Sequence, residues 1–240
     1  MHSEVMGNSS IMAAIGLGMI ALTVYAFRLR RSCGAVTSLV VVLGVALSFD
    51  NVAVAVGRIV GFGDALYAIN LPRFWIHALM TPLIVVAAAV PARRLGVRWS
   101  RSVLVAGTLL VTAFVIVGIV ELFVALELTP TTDGDALRYS NAAVAGPPLP
   151  ALGTVLLLIA AGVHLWRSAE SPWLCLGSLV MLVTAAAGTS VFWLGNFGEL
   201  VLYASIVATM SQVAEAGDPD PSASEAVPLD AGYETSSVPR

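Results

Sequence analysis

The sequence predicts an all-α fold, a polytopic transmembrane helical bundle. Of the 240 residues, 58% are hydrophobic and only 11% are charged, which is too apolar for a soluble domain. Seven apolar runs are of about the length that a helix needs to cross a hydrocarbon core of roughly 30 Å. Arginines follow every second run, as positive residues do on the cytoplasmic side of membrane proteins.

The seven predicted spans are separated by polar connections. Arginines follow the first span and do not precede it, so we expect an anchor and not a cleaved signal peptide. Asn70 and Pro72 predict the start of the third helix, as a cap and a first-turn proline, and Pro82 predicts a kink within it. The longest connection, between the fourth and fifth spans, is predicted to be a loop. The spans are residues 11–27, 36–60, 74–90, 102–126, 151–166, 173–194 and 197–213.

The arginine distribution predicts an N-terminus outside and a C-terminus in the cytoplasm, in a multi-pass protein of the cell membrane. The opposite, outer side carries only Arg58, Arg73 and Arg138. From residue 215 the composition becomes acidic and rich in proline and serine, so we predict a seven-helix domain over residues 1–214 and a disordered cytoplasmic tail over residues 215–240. The arginines on the predicted inner side are Arg28, Arg30, Arg31, Arg93, Arg94, Arg98, Arg101 and Arg167.

Composition also excludes several functions. The chain contains no lysine, so it cannot form the Schiff base that holds retinal. The arginines form no basic stripe, which argues against nucleic-acid binding. Only His77 and His164 lie in predicted spans, so no metal site is predicted, although a mixed site from Asp50, His77 and Glu121 is geometrically possible. No motif identifies a cofactor.

Polar side chains concentrate at one depth of the predicted bundle. Asp50 lies inside an otherwise apolar span, where an ionised Asp costs roughly 2.5 to 3.5 kcal/mol unless it is satisfied by neighbours or by a water-filled cavity. In the predicted inner half of the bundle, the only ionisable side chain within a span is His164, near a helix end. The pattern predicts a one-sided polar pocket in the outer half, formed by Asp50, Asn51, Arg58, Arg73, His77, Glu121, Asn196 and Glu199.

Three functional hypotheses fit this pocket. In the leading one, it binds or modifies an amphiphilic, lipid-like and anionic molecule. The ligand-binding residues are then Asn51, Arg58, Arg73, Asn196 and Glu199, with the arginines holding a phosphate or carboxylate head. Whether the protein is an enzyme stays open; if it is, the catalytic groups are Asp50, His77 and Glu121.

The second hypothesis is a proton-coupled transporter of small solutes, with the Pro82 kink allowing the third helix to move. The third is a structural or assembly protein, in which Asp50 pairs with Arg58 or His77 to lock helices together. Membrane lipid is the expected surrounding partner in all three. The span count does not separate them, because fold alone does not determine function.

Overall fold

The structure, a computed structural model, describes residues 7–34, 36–143 and 149–217. These residues form a bundle of helices joined by short connections, with one β-hairpin, so the predicted all-α transmembrane bundle is confirmed in its class. The elements in chain order are α1 (Asn8–Arg28), α2 (Arg30–Cys33), α3 (Val36–Ala55), α4 (Gly57–Val60), α5 (Asp64–Arg94), α6 (Arg101–Ala125), β1 (Leu128–Asp133), β2 (Ala136–Asn141), α7 (Leu149–Ala169), α8 (Trp173–Ala187) and α9 (Leu194–Gly217).

Six of the described helices are long and apolar enough to cross a membrane, namely α1, α3, α5, α6, α7 and α9. The predicted sixth span corresponds to α8, which has only 15 residues. At 1.5 Å per residue α8 is about 22 Å long, shorter than a hydrocarbon core of about 30 Å. The chain turns after Ala187 and resumes as α9 at Leu194. The count of seven complete spans and the orientation of the bundle stay predictions.

The third helix begins earlier than the sequence suggested. α5 starts at Asp64, whose carboxylate lies in the first turn and complements the positive helix end. Pro72 is therefore inside the helix and Asn70 does not cap it, so both of these assignments are wrong. Prolines are tolerated inside transmembrane helices because neighbouring groups satisfy the freed carbonyls. Pro82 also lies inside α5, and the kink expected there stays a prediction.

The long connection between α6 and α7 contains an antiparallel hairpin of β1 and β2, where we expected only a loop. Its register runs from Leu128 opposite Asn141 to Asp133 opposite Ala136. Gly134 opens the turn with φ of 60°, a left-handed conformation that glycine adopts without steric cost. Residues 144–148 of this connection lie outside the described part of the chain.

The helices pack so that α3, α5 and α9 meet near the centre of the bundle. α1 packs against α3 and α9, α8 lies between α7 and α9, and α5 contacts α3, α6 and α7. The largest core cluster draws its buried side chains from most of these helices, including Leu43, Leu158 and Met210. Among the long helices α6 packs mainly on α5 and α7, and most of its surface is not covered by the rest of the described bundle. α9 continues to Gly217, and the remaining predicted tail, residues 218–240, lies outside the described residues.

Candidate functional site

The centre of the site is Asp50, whose side chain is 0% exposed. Arg73 donates from Nε to Asp50 Oδ1 at 2.7 Å, and Asn196 donates from Nδ2 to Oδ2 at 3.0 Å. His77 Nε2 lies 3.3 Å from Oδ1. Since these partners come from α5 and from the first turn of α9, the carboxylate of α3 joins three helices. The positive end of the α9 dipole also favours a negative charge at this place.

Arg73 is held on both sides. Besides Asp50, it donates from Nη1 to Asn70 Oδ1 at 2.9 Å. Asn70 is wholly buried, donates to the Leu66 carbonyl at 2.9 Å and accepts the backbone N–H of Tyr139 at 3.2 Å. Sequence reasoning missed Asn70 as a site residue, although its position three residues before Arg73 on one helix face was the available signal.

His77 lies between two carboxylates. Its Nε2 faces Asp50, and its Nδ1 is 3.9 Å from Glu199 Oε1. The His77 side chain is 39% exposed and that of Glu199 is 19% exposed. Glu199 Oε2 is itself buried and has no hydrogen-bond partner among the described residues. The imidazole of His77 therefore lies between the Asp50 carboxylate, which has three partners, and the Glu199 carboxylate, which has one oxygen without a hydrogen bond.

A narrow cavity of about 20 Å³ adjoins Glu199 between α3, α5 and α9. Apart from Glu199 its walls are almost entirely apolar, and Tyr203, one turn further along α9, lies at the wall. The Tyr203 hydroxyl donates to the Val40 carbonyl at 3.0 Å. A space of this size holds about one water molecule.

The structure brings together five of the eight side chains that the sequence placed in one pocket. They come from α3, α5 and α9 and form one connected group, which we call the Asp50 cluster. Asn70 is its additional member, and the other members are Asp50, Arg73, His77, Asn196 and Glu199.

Arg58 does not join the Asp50 cluster. Its side chain is 67% exposed and pairs with Asp135 of the hairpin at 3.2 Å. Because α3 ends at Ala55 and the chain resumes as the short α4, Arg58 does not continue the face on which Asp50 lies. The suggested pair of Asp50 with Arg58 is therefore wrong, and the arginine that pairs with Asp50 is Arg73.

Asn51 is as deeply buried as Asp50 but faces away from the cluster. It donates to the Leu47 carbonyl at 2.8 Å and lies against Gly16 of α1. Its Oδ1 has no hydrogen-bond partner within the described chain. Asn51 thus belongs to the contact between α1 and α3.

Glu121 lies on α6, at the periphery of the bundle. Within residues 7–34, 36–143 and 149–217 it forms no hydrogen bond or ion pair, because α6 packs on α5 and α7 and not on α3 or α9. The same described residues contain no group of three His, Cys, Asp or Glu side chains that could hold a metal ion. The possible metal site from Asp50, His77 and Glu121 is therefore not assembled.

The tip of the hairpin is anchored on α1. Asp135 accepts the backbone N–H of Ser9 at 3.1 Å and the Ser9 hydroxyl donates to the Asp135 carbonyl at 3.2 Å. The Ser9 backbone hydrogen bond lowers the pKa of Asp135. Asn8 donates to the Asp133 carbonyl at 3.0 Å. The N-cap residue of α1 is a glycine, which has no side-chain acceptor for the free N–H groups of the first turn. Asp135 supplies that acceptor from the hairpin.

The body of the hairpin rests on α4 and α5. Gly57 of α4 approaches the Leu137 carbonyl so closely that no side chain would fit there. The Tyr139 ring makes edge contacts with Phe62 and Tyr67, with centroids 6.0 and 5.3 Å apart. The side of the Asp50 cluster that faces the hairpin is therefore bordered by β2.

No protein-family model, curated protein or solved structure matches this chain. The chemistry of the Asp50 cluster is therefore the basis on which a function can be argued.

Proposed function

We propose that this multi-pass membrane protein is a proton-coupled transporter of a small solute in the cell membrane, with His77 and Glu199 as its proton-binding pair. The observation that carries the proposal is the position of His77 between Asp50 and Glu199 inside the bundle. Of the three hypotheses drawn from the sequence, this geometry favours proton coupling.

The two ring nitrogens of His77 give the cluster two protonation states. A neutral imidazole has one N–H and can donate to one carboxylate only, whereas a protonated imidazole donates to both. Asp50 already accepts from Arg73 and Asn196, so it stays a fixed anion. The proton that enters or leaves is then shared by His77 and Glu199.

Two features support exchange of this proton over a purely structural role. Buried carboxylate oxygens are normally hydrogen-bonded, whereas Glu199 Oε2 has no partner in the described chain, and the Glu199 residue lines the cavity. In addition, α8 ends early and α9 begins beside the cluster with Asn196 in its first turn. Interrupted helices whose ends face a central polar site are typical of secondary transporters.

Binding of an amphiphilic molecule is the second candidate. It is supported by the cavity, which is apolar except at Glu199. Arg58 and Arg73 both have carboxylate partners, so the geometry favours a head group that donates hydrogen bonds to Glu199 over the anionic head expected from the sequence. At about 20 Å³ the cavity would have to widen by movement of α9 to admit an acyl chain.

Proteoliposomes that contain a pH-sensitive dye test the transport proposal. On addition of panels of small solutes, we expect one class to change the luminal pH in the wild type and in Glu121→Gln. Glu199→Gln and His77→Gln should abolish that change, because they remove the exchangeable proton. Solute entry without a pH change, or equal pH changes in Glu199→Gln and the wild type, would contradict the proposal.

Mass spectrometry of the purified protein addresses the second candidate. A single lipid species that co-purifies with the wild type and is lost in Glu199→Gln would favour amphiphile binding. A mixture of bulk lipids in both proteins would leave proton coupling as the better account.

A further inference from the structure

The β-hairpin contacts the helix ends that surround the Asp50 cluster. At its tip it bonds to Ser9 of α1 and Arg58 of α4, and along β2 it bonds to Asn70 of α5. On the remaining side, the Arg138 guanidinium lies over the ring of Phe192, 4.8 Å from its centroid, in the turn between α8 and α9. The hairpin therefore bridges the outer ends of the elements that build the cluster.

Asn70 connects the hairpin to the cluster through one atom. Its Oδ1 accepts both the Tyr139 backbone N–H at 3.2 Å and Arg73 Nη1 at 2.9 Å. Arg73 in turn donates to Asp50 at 2.7 Å. Three consecutive hydrogen bonds thus lead from the backbone of β2 to the buried carboxylate. The Asn70 amide nitrogen is fixed on the Leu66 carbonyl, so its oxygen is held between the two donors.

We propose that the β-hairpin is the outer gate of the Asp50 cluster and that Asn70 couples its docking to the Asp50–Arg73 pair. Arg73 and the Leu66 carbonyl together hold the Asn70 amide in one orientation, so when Arg73 leaves Asn70 the amide oxygen is less firmly positioned to accept the Tyr139 N–H. By linkage, release of the hairpin loosens Arg73 to the same degree. This inference rests on the cluster as the functional site of the proposed transporter, but not on proton movement itself.

The docking contacts suit an element that opens. A two-stranded hairpin is marginally stable by itself, so its order depends on what it packs against. Its buried side chains are few, chiefly Ala136 and Tyr139. The Arg58–Asp135 pair is exposed on the arginine side, where such pairs contribute little. Release therefore breaks a small set of contacts and leaves the helix core intact.

Hydrogen exchange of the full chain in lipid nanodiscs, read by mass spectrometry on the peptide of residues 128–141, tests the coupling. The chain offers a matched pair of variants, Asn70→Leu and Asn51→Leu. Both asparagines are wholly buried and both donate to the carbonyl four residues earlier, but of the two it is Asn70 that forms a hydrogen bond with β2. We expect Asn70→Leu to accelerate exchange of the hairpin by about tenfold, the scale of one lost hydrogen bond. Asn51→Leu should leave it unchanged.

The effect of hairpin release on the Asp50–Arg73 pair is tested by substitutions in the hairpin itself. The double variant Asp135→Ala/Tyr139→Ala removes the side-chain acceptor at its tip and its aromatic contact, and both changes lie outside the helix core. Modification of Asp50 by a water-soluble carbodiimide, located by mass spectrometry, should then rise by about tenfold, because a fully buried carboxyl reacts only when it opens. Asp64→Asn, an acid-to-amide change at the start of α5, is the control and should leave the rate unchanged.

Equal hairpin exchange in Asn70→Leu and Asn51→Leu would overturn the coupling. Unchanged Asp50 modification in the double variant would overturn the gate, whether or not its hairpin exchanges faster. If Asn70→Leu fails to fold, Asp50 modification in the double variant still tests the proposed gate. If no solute changes the luminal pH, but the hairpin exchange and the Asp50 modification respond as expected, the proposed transport is refuted and the gate is not.

Discussion

His77 Nε2 lies 3.3 Å from Asp50 Oδ1, and His77 Nδ1 lies 3.9 Å from Glu199 Oε1, so one imidazole separates two carboxylates inside the bundle. The two carboxylates are not equivalent. Asp50 has three partners and no exposed surface, whereas one oxygen of Glu199 has no partner in the described residues. This asymmetry supports the proposal that Asp50 is a structural anchor and that the pair of His77 and Glu199 binds the exchangeable proton.

The anchor role predicts a large loss of stability in Asp50→Asn. This change leaves the Arg73 cation without its carboxylate, and breaking a buried ion pair from one side costs about 3 to 5 kcal/mol. Thermal unfolding of the purified protein in detergent should show a clear fall in Tm. The double variant Asp50→Asn/Arg73→Gln should recover part of the loss, and Asp50→Asn/Arg58→Gln should recover none. An unchanged Tm in Asp50→Asn would contradict the anchor role.

Glu199→Gln is predicted to behave in the opposite way. The amide keeps the shape of the side chain and removes a carboxylate that is poorly satisfied, so the Tm should stay the same or rise. Solute-dependent pH changes should nevertheless disappear. Unfolding curves and luminal pH recordings on the same preparation check both parts. A Tm that falls as far as in Asp50→Asn would show that Glu199 is also structural.

Hairpin docking should weaken in acid. The backbone N–H of Ser9 holds the pKa of Asp135 below its ordinary value of about 3.9. A group with a lowered folded pKa stabilises the docked state above its unfolded pKa, and this contribution is lost as pH falls through the folded pKa. Hydrogen exchange of residues 128–141, corrected for intrinsic rates, should therefore accelerate below about pH 4.

Asp135→Asn should remove this pH dependence, because the amide does not titrate. Asp64→Asn should retain it. Arg58 is the charged side chain that faces Asp135. Acid acceleration of equal size in Asp135→Asn and the wild type would contradict this prediction.

Gly57→Ala should displace the hairpin from a position that is not itself part of the Asp50 cluster. The added methyl group meets the Leu137 carbonyl, which belongs to the backbone and cannot rotate away. Gly107→Ala on α6 is the matched control, because nothing lies within 4 Å of the added atom there. In a helix interior that change should be neutral or stabilise by about 0.5 to 1 kcal/mol. Faster hairpin exchange in Gly57→Ala but not in Gly107→Ala is the expected result.

The sequence predicted the fold class and most of the cluster from two kinds of information. Apolar length and arginine placement located the spans, and the direction of each span then gave the depth of its polar residues. The predicted depth was sufficient to group the side chains of Asp50, Arg73, His77, Asn196 and Glu199 in one site. Depth alone wrongly placed Glu121 in the same site, because depth does not determine which helices are neighbours. The helix that carries Glu121, α6, lies at the periphery.

The remaining differences come from local backbone breaks. Arg58 was expected in the pocket because the second span was predicted to run as one helix to residue 60, whereas α3 ends at Ala55 and the chain resumes as α4. Asn70 was assigned to a helix cap because Pro72 looked like a first-turn proline. The hairpin carries several residues that favour turns and no long apolar run, so its strands are stabilised mainly by contacts with α1, α4 and α5 that a linear sequence does not reveal.

Proton binding by the pair of His77 and Glu199 is tested most directly by a pH jump on proteoliposomes adsorbed to a solid-supported membrane, because this measurement requires no knowledge of the solute. The wild type and Glu121→Gln should give a transient charge displacement as the pair takes up a proton, and Glu199→Gln and His77→Gln should give none. A displacement of equal size in Glu199→Gln and the wild type would contradict the account.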